Sequence, residues 1–186
     1  MQIFIRNTLL LAAAALLAWP SLAPAGYPYP MPGPSHPPAG KTFLSWKTMY
    51  GVGGPFVGDA NPQRGVAGDS LPWVLKSATG SLTTGGHLKI TVKGLVFPDS
   101  IDVPVDKRGI NDETQFRALV SCVTVATGVV QVQNVKTGGF AANVKGNSKI
   151  NAWVTLPNPC LEPAVFILAG AEDVWFASTG FISGTE

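Results

Sequence analysis

The chain is poor in the side chains that most enzymes use. Histidine occurs twice, as His36 and His87, and cysteine twice, as Cys122 and Cys160. Nucleophilic catalysis needs a base within hydrogen-bond reach of the nucleophile. His36 lies in a Pro-rich stretch, so only His87 is left for that role. No G-x-S-x-G elbow is present to present a serine. A zinc site would have to recruit both cysteines and both histidines, which include no close ligand pair. The glycine-rich run Gly51–Phe56 lacks the lysine of a phosphate-binding loop, and no helix follows to supply a dipole. No cofactor motif emerges, so the expectation is a chain without cofactor or metal. Charge is scarce as well. Thirteen Lys and Arg stand against 11 Asp and Glu, a balance that makes no case for nucleic acid or an anionic membrane surface.

What the chain does have begins at its N-terminus. Arg6 precedes a 12-residue apolar run, Thr8–Trp19, and Ala23-Pro24-Ala25 offers a small-residue cleavage site. This pattern reads as a secretory signal peptide over residues 1–25, with cleavage after Ala25 or Ala23. A spanning helix needs roughly 18 or more apolar residues, so a retained anchor is the weaker reading. No later run is long enough to cross a bilayer, and a secreted, periplasmic or extracellular location is expected. Residues 26–41 contain six prolines. They read as a Pro-rich tether that cannot join a hydrogen-bonded ladder.

The remainder, residues 42–186, is expected to form a single β domain. Glycine and proline total 37 of 186 residues, which favours turns and strands over helices. Leu88, Ile90 and Val92 alternate with Lys89, Thr91 and Lys93, the period of a half-buried strand. Further strands are expected at Thr42–Tyr50, Trp73–Ser77, Phe116–Val125, Val129–Val135, Ser148–Leu156, Ala164–Leu168 and Val174–Ser178. Ile101–Val105 is at best an edge strand because of Pro104, and Asn111 is placed to cap one helical turn. Gly146-Asn147 signals a hairpin turn. Gly51–Ser70, with six glycines and two prolines, reads as a long loop. Short strands with turn signals at this spacing predict an all-β, antiparallel sandwich of immunoglobulin-like type, or a small barrel, of about 7–9 strands.

Cys122 shares the parity of Phe116, Ala118 and Val120, which points it into the core. Cys160 sits among Pro157, Pro159 and Pro163. Two cysteines in an exported chain most simply form one disulfide. A reactive thiolate would need an exposed electropositive site, which the parity of Cys122 opposes.

Five acids fall between Asp99 and Glu113. Two of them facing each other across a cleft would suit a hydrolase using carboxylates, and oxygen ligands of this kind suit calcium, although no D-x-D-x-D-G loop is present. A solvated acidic surface is the plainer reading. Among the tryptophans, Trp153 falls opposite the expected core face of its strand. An exposed tryptophan on a sheet can stack on a sugar or anchor a protein interface. Trp73 and Trp153, beside the Gly51–Ser70 loop, are therefore the first candidates for a binding surface with a protein or glycan partner.

The stretches RGVAGDSLPW, FRALVSC, VTLPNPCLEPAVFIL and VWFASTGF together resemble a group of small secreted proteins of unknown function. The likeness spans about residues 42–181, and its most specific element is L-P-x-P-C-x-x-P around Cys160. The resemblance implies a recurrent disulfide-bearing β domain and no activity. The expectation is an exported, non-catalytic domain with a binding or interaction role.

Overall fold

A computed structural model of the chain describes residues 40–179. Residues 1–25, read from the sequence as a signal peptide, and nearly all of the Pro-rich stretch 26–41 lie outside the described residues. Within them the protein is all-β, with no α-helix and no helix long and apolar enough to cross a membrane. Eleven strands are present: β1 Thr42–Trp46, β2 Tyr50–Gly51, β3 Ala67–Gly68, β4 Ser77–Thr83, β5 His87–Lys93, β6 Gln115–Ala126, β7 Val129–Lys136, β8 Phe140–Ala141, β9 Ser148–Trp153, β10 Leu161–Ala169 and β11 Val174–Ser178. Three are only two residues long, which leaves eight of substance, within the number expected from the sequence.

Two sheets form a sandwich. Sheet A is four-stranded in the order β1-β4-β5-β9, and the larger sheet B runs β2-β11-β10-β6-β7, with β3 beside β11 and β8 beside β6. Almost every pairing is antiparallel; β3 with β11 is the parallel one. The alternation seen in the sequence sets sheet A directly. Leu88, Ile90 and Val92 point inward beside Ala152, Ile150 and Ser148 of β9 and Leu82, Gly80 and Ala78 of β4. They meet Phe116, Ala118, Val120 and Cys122 of β6 in one core.

At the centre of that core, Trp73 is stacked on Phe176 with ring centroids 4.0 Å apart, and Phe97 lies 4.1 Å away on a tilted plane. Trp73 is not in a strand, contrary to expectation. It lies in the connection before β4, where its backbone N–H donates to Val52 O at 2.9 Å. Its indole Nε1 donates to Asp69 Oδ2 at 2.7 Å, satisfying the one polar atom of the ring.

The Gly51–Ser70 segment is the main surprise. It is not a free loop but the cover of sheet B. The central parts of β6 and β10 are buried on both faces: Leu119, Phe166 and Leu168, with Trp175 of β11, point away from the sandwich core and are nonetheless inaccessible. The segment follows β2, forms β3 beside β11, and reaches across to β10 and β7. Arg64 donates to Glu162 O at 3.1 Å, and Asn134 Nδ2 donates to Arg64 O at 3.0 Å. Val66, within the segment, is buried. Strands covered on both faces read as continuous apolar runs, which is how FRALVSCV and AVFILA are written.

Three local expectations are corrected. Ile101–Val105 forms turns rather than a strand, followed by a single 3-10 turn at Val105–Lys107. Asn111 caps no helix. It is buried, donates through Nδ2 to Glu113 O and Asn143 O at 2.7 and 2.9 Å, and accepts from Glu113 N at 3.0 Å. A side chain able to donate and accept at once satisfies three backbone groups there. The turn before β9 is closed by Gly146 N donating to Asn143 O at 2.8 Å, so it spans Asn143–Gly146 rather than centring on Gly146-Asn147.

Gly80 matters for a local reason. It pairs with Trp46 of β1, and a Cβ on it would lie 2.3 Å from the Trp46 ring and 2.6 Å from Lys89 O. The indole takes the space that a side chain would need, and so closes the open edge of the core. Gly80→Val is expected to cost roughly 1–3 kcal/mol by overpacking. Urea unfolding at equilibrium measures it; an unchanged midpoint would mean that Trp46 moves aside at no cost.

Candidate functional site

The structure separates the residues that the sequence suggested as one binding surface. Trp73 is 2% exposed and offers no face to a ligand. The Gly51–Ser70 segment lies on sheet B. Trp153 lies on sheet A, half-buried on the outer face, where the parity of β9 puts it. These three make no common surface, and Trp73 is withdrawn from it. Its parity could not be read because LPWVL contains no alternation.

Around Trp153 the outer face of sheet A forms a coherent site. His87 of β5 is directly opposite Trp153, and the two rings stack with centroids 4.5 Å apart and planes 8° from parallel. His87 Nε2 is 2.8 Å from Asn151 Oδ1, which fixes the ring in its plane as the donor partner of that amide oxygen. The next rows across the sheet are Ser81, Lys89 and Asn151, then Thr79, Thr91 and Lys149. These six side chains border a shallow groove of about 460 Å³. Strands β1, β4, β5 and β9 contain no Asp or Glu, whereas the outward positions of β5 and β9 carry Lys89, Lys93 and Lys149. The near-neutral chain therefore has one face of a single sign. The alternating lysines of β5 were visible in the sequence. The His87–Trp153 stack was not, since it depends on pairing two strands far apart in the chain.

The acids of residues 99–113 are largely spoken for. Asp99 is 3.5 Å from Arg108 and Asp112 is 2.8 Å from Lys107. Glu113 Oε2 accepts from Gly170 N at 3.2 Å. Asp102 and Asp106 are exposed. The hydrogen bond that Lys107 Nζ donates to Asp112, with the carboxylate's charge, holds the Lys107 ammonium above the usual lysine range. Among the described residues, no group of three or more His, Cys, Asp or Glu is placed to hold a metal ion. A second electrostatic knot lies at the β10–β11 turn. Lys136 and Arg117 approach Asp173 at 2.6 and 3.1 Å. The hydrogen bond from Lys136, together with the two positive charges, holds the Asp173 carboxyl below its ordinary value.

Cys122 and Cys160 are joined in a disulfide, with Cα atoms 5.0 Å apart. Cys122 is fully buried, and neither residue is a free thiol. The bond fixes the Pro157–Pro159 connection, which leads from sheet A to sheet B, onto β6.

Comparison with models of known families, with curated proteins and with solved structures finds no match. The reading of the outer face of sheet A therefore rests on its own chemistry.

Proposed function

We propose that the protein is an exported, non-catalytic binding domain that holds an anionic glycan on the outer face of sheet A. The observation that carries the reading is the Trp153–His87 stack at the end of an acid-free, lysine-bearing sheet face. A flat aromatic beside hydrogen-bonding side chains suits the apolar face and hydroxyls of a sugar ring. The rows Ser81–Lys89–Asn151 and Thr79–Thr91–Lys149 supply hydroxyl, amide and ammonium groups at sheet spacing, which suits an extended polymer carrying carboxylate or sulfate. Export is supported by the pattern of residues 1–25 and by the disulfide, which belongs to oxidising compartments. A shortage of histidine, and the engagement of Asp99, Asp112 and Glu113 with Arg108, Lys107 and the Gly170 N–H, support a non-catalytic role.

Affinity electrophoresis through gels containing uronate-rich, sulfated or neutral polysaccharides tests this. Retardation is expected in the anionic gels and is expected to weaken as salt is raised, because exposed charges are screened. Trp153→Ala is expected to weaken binding at least tenfold while leaving the unfolding midpoint nearly unchanged, since the ring is only half-buried. Equal mobility in every gel, or retardation unaffected by Trp153→Ala, would remove the proposal.

A further inference from the structure

Strand β7 is one edge of sheet B, and among the described residues it is the longest edge strand. The other edges are protected by familiar devices. Strand β2 is two residues long, β1 carries an irregularity between Thr42 and Leu44, and the six-residue β9 carries Lys149 at its second position. Strand β7 has none of these. It runs eight residues, VVQVQNVK, in unbroken register with β6. It has no proline, and its one charge, Lys136, lies at its end and is tied to Asp173.

The face beside this edge is apolar. On the outer side of sheet B, Val130 pairs with Val125 and Val132 with Val123, while Leu161 of β10 pairs with Val123 from the other side. Val130 is 69% exposed, Leu161 49%, and Val125 and Val132 45% each. The covering segment that seals Leu119 and Phe166 touches β7 at Asn134, and no described segment extends over these valines. An apolar patch therefore adjoins a row of unpaired backbone groups.

The phase of those groups can be assigned. Thr137 N donates to Ala118 O at 2.9 Å, so in the antiparallel alternation the odd-numbered residues of β7 bond to β6. The free N–H and C=O groups belong to Val130, Val132 and Asn134. These are the same residues whose side chains lie on the patch side. A copy of the strand related by a two-fold axis at Val132 satisfies them. Val132 meets Val132 of the other copy, and Val130 meets its Asn134, with N–H and C=O exchanged at each pair. No like charges oppose each other, because Val129–Val135 is uncharged and the register sets Lys136 opposite Gly128 of the other copy. The two valine patches then merge into one.

We infer that a second copy of this chain docks on β7, joining two B sheets edge to edge about Val132. A two-fold contact of this kind is self-complementary and closes after two copies, as stable homodimers do. It leaves the outer face of sheet A of each copy open, and it does not depend on what that face binds.

Sedimentation velocity on the protein as its host produces it, across micromolar concentrations, tests the inference. A dimer is expected. Val132→Lys sets two ammonium groups face to face at the axis and is expected to weaken the dimer at least tenfold; Val132→Glu is expected to do the same. Mixing the two variants is expected to restore a dimer of one copy each, which a merely misfolded variant would not do. Val130→Pro removes a donor that faces the free edge and spares the β6 ladder, so it provides a second variant if the charged ones fail to fold. A wild-type monomer at all concentrations would overturn the inference. So would a dimer that survives Val132→Lys and Val130→Pro, or a β7 edge found occupied by a strand from another protein.

Discussion

Replacing Trp73 with alanine is expected to remove about 3–5 kcal/mol of stability, the range for truncating a large aromatic in a packed core. The indole is not one apolar group among many. It is stacked on Phe176, touches Phe97, and through Phe176 reaches Phe116 of β6, whose ring meets Phe176 edge-on. The same residue binds one distant and one nearby acceptor: its backbone N–H binds Val52 O, and its Nε1 binds Asp69 Oδ2 four residues before it. Both acceptors lie at the two ends of the segment that covers sheet B, so truncation is expected to loosen the cover as well as the core. Urea unfolding followed by near-UV absorption should show the loss, with a fall in melting temperature on the order of 10 °C. Trp73→Phe separates the contributions. It retains most of the ring and removes the Nε1 donor, and it is expected to cost about 1–3 kcal/mol, the range for leaving a partly buried acceptor short of its partner. A Trp73→Ala protein as stable as the parent would mean that Phe97 and Phe176 collapse together without it.

That Trp73 is core rather than surface shows where sequence reading succeeds and where it stops. Strand β5 was legible because Leu88, Ile90 and Val92 face one way and the lysines between them the other, and water on one side enforces that period. The same water makes Lys89 and Lys149 outward residues of a recognisable kind. Strands β6 and β10 were legible as strands, but their second buried face was not. Leu119, Phe166 and Leu168 are hidden by a segment of glycine, proline and polar residues whose own composition suggests a loop. Its ties to the domain are the short β3–β11 pairing, the isolated apolar Val57 and Val66, and Arg64 reaching Glu162 O, none of which leaves a periodic trace. Asn111 misled for a related reason: the side chain that caps helices also closes turns, and only the position of Asn143, 32 residues on, decides between them. The stack of His87 on Trp153 needs β9 placed beside β5, with β6, β7 and β8 between them in sequence. Local rules could orient each partner outward, yet not bring the two together.

The disulfide was legible for a different reason, since only two cysteines were available to pair, and its removal is the second large effect expected. The double variant Cys122→Ala with Cys160→Ala is expected to keep the fold and to lose roughly 3–4 kcal/mol, the chain-entropy value for closing a loop of this length. The bond spans 38 residues, which include β7, β8, β9 and the crossing from one sheet to the other. In the unfolded chain those residues would have to find their partners across sheets; the cross-link keeps Cys160 beside β6 throughout. In the folded protein the same proximity is already secured, because Leu161, the next residue, pairs with Val123 and Ala164 pairs with Ser121. Much of the stabilisation therefore acts through the unfolded ensemble, and the folded spectrum of the double variant should match the parent's. Alanine is the appropriate replacement at Cys122. That site is fully buried, and a serine hydroxyl placed there without a partner would add about 1–3 kcal/mol of its own. Urea midpoints of the parent, the double variant and the parent in reductant give the measurement: the last two should coincide, well below the first. A double variant that unfolds with the parent would show that the pairing of β6 with β10 alone sets the stability of this region.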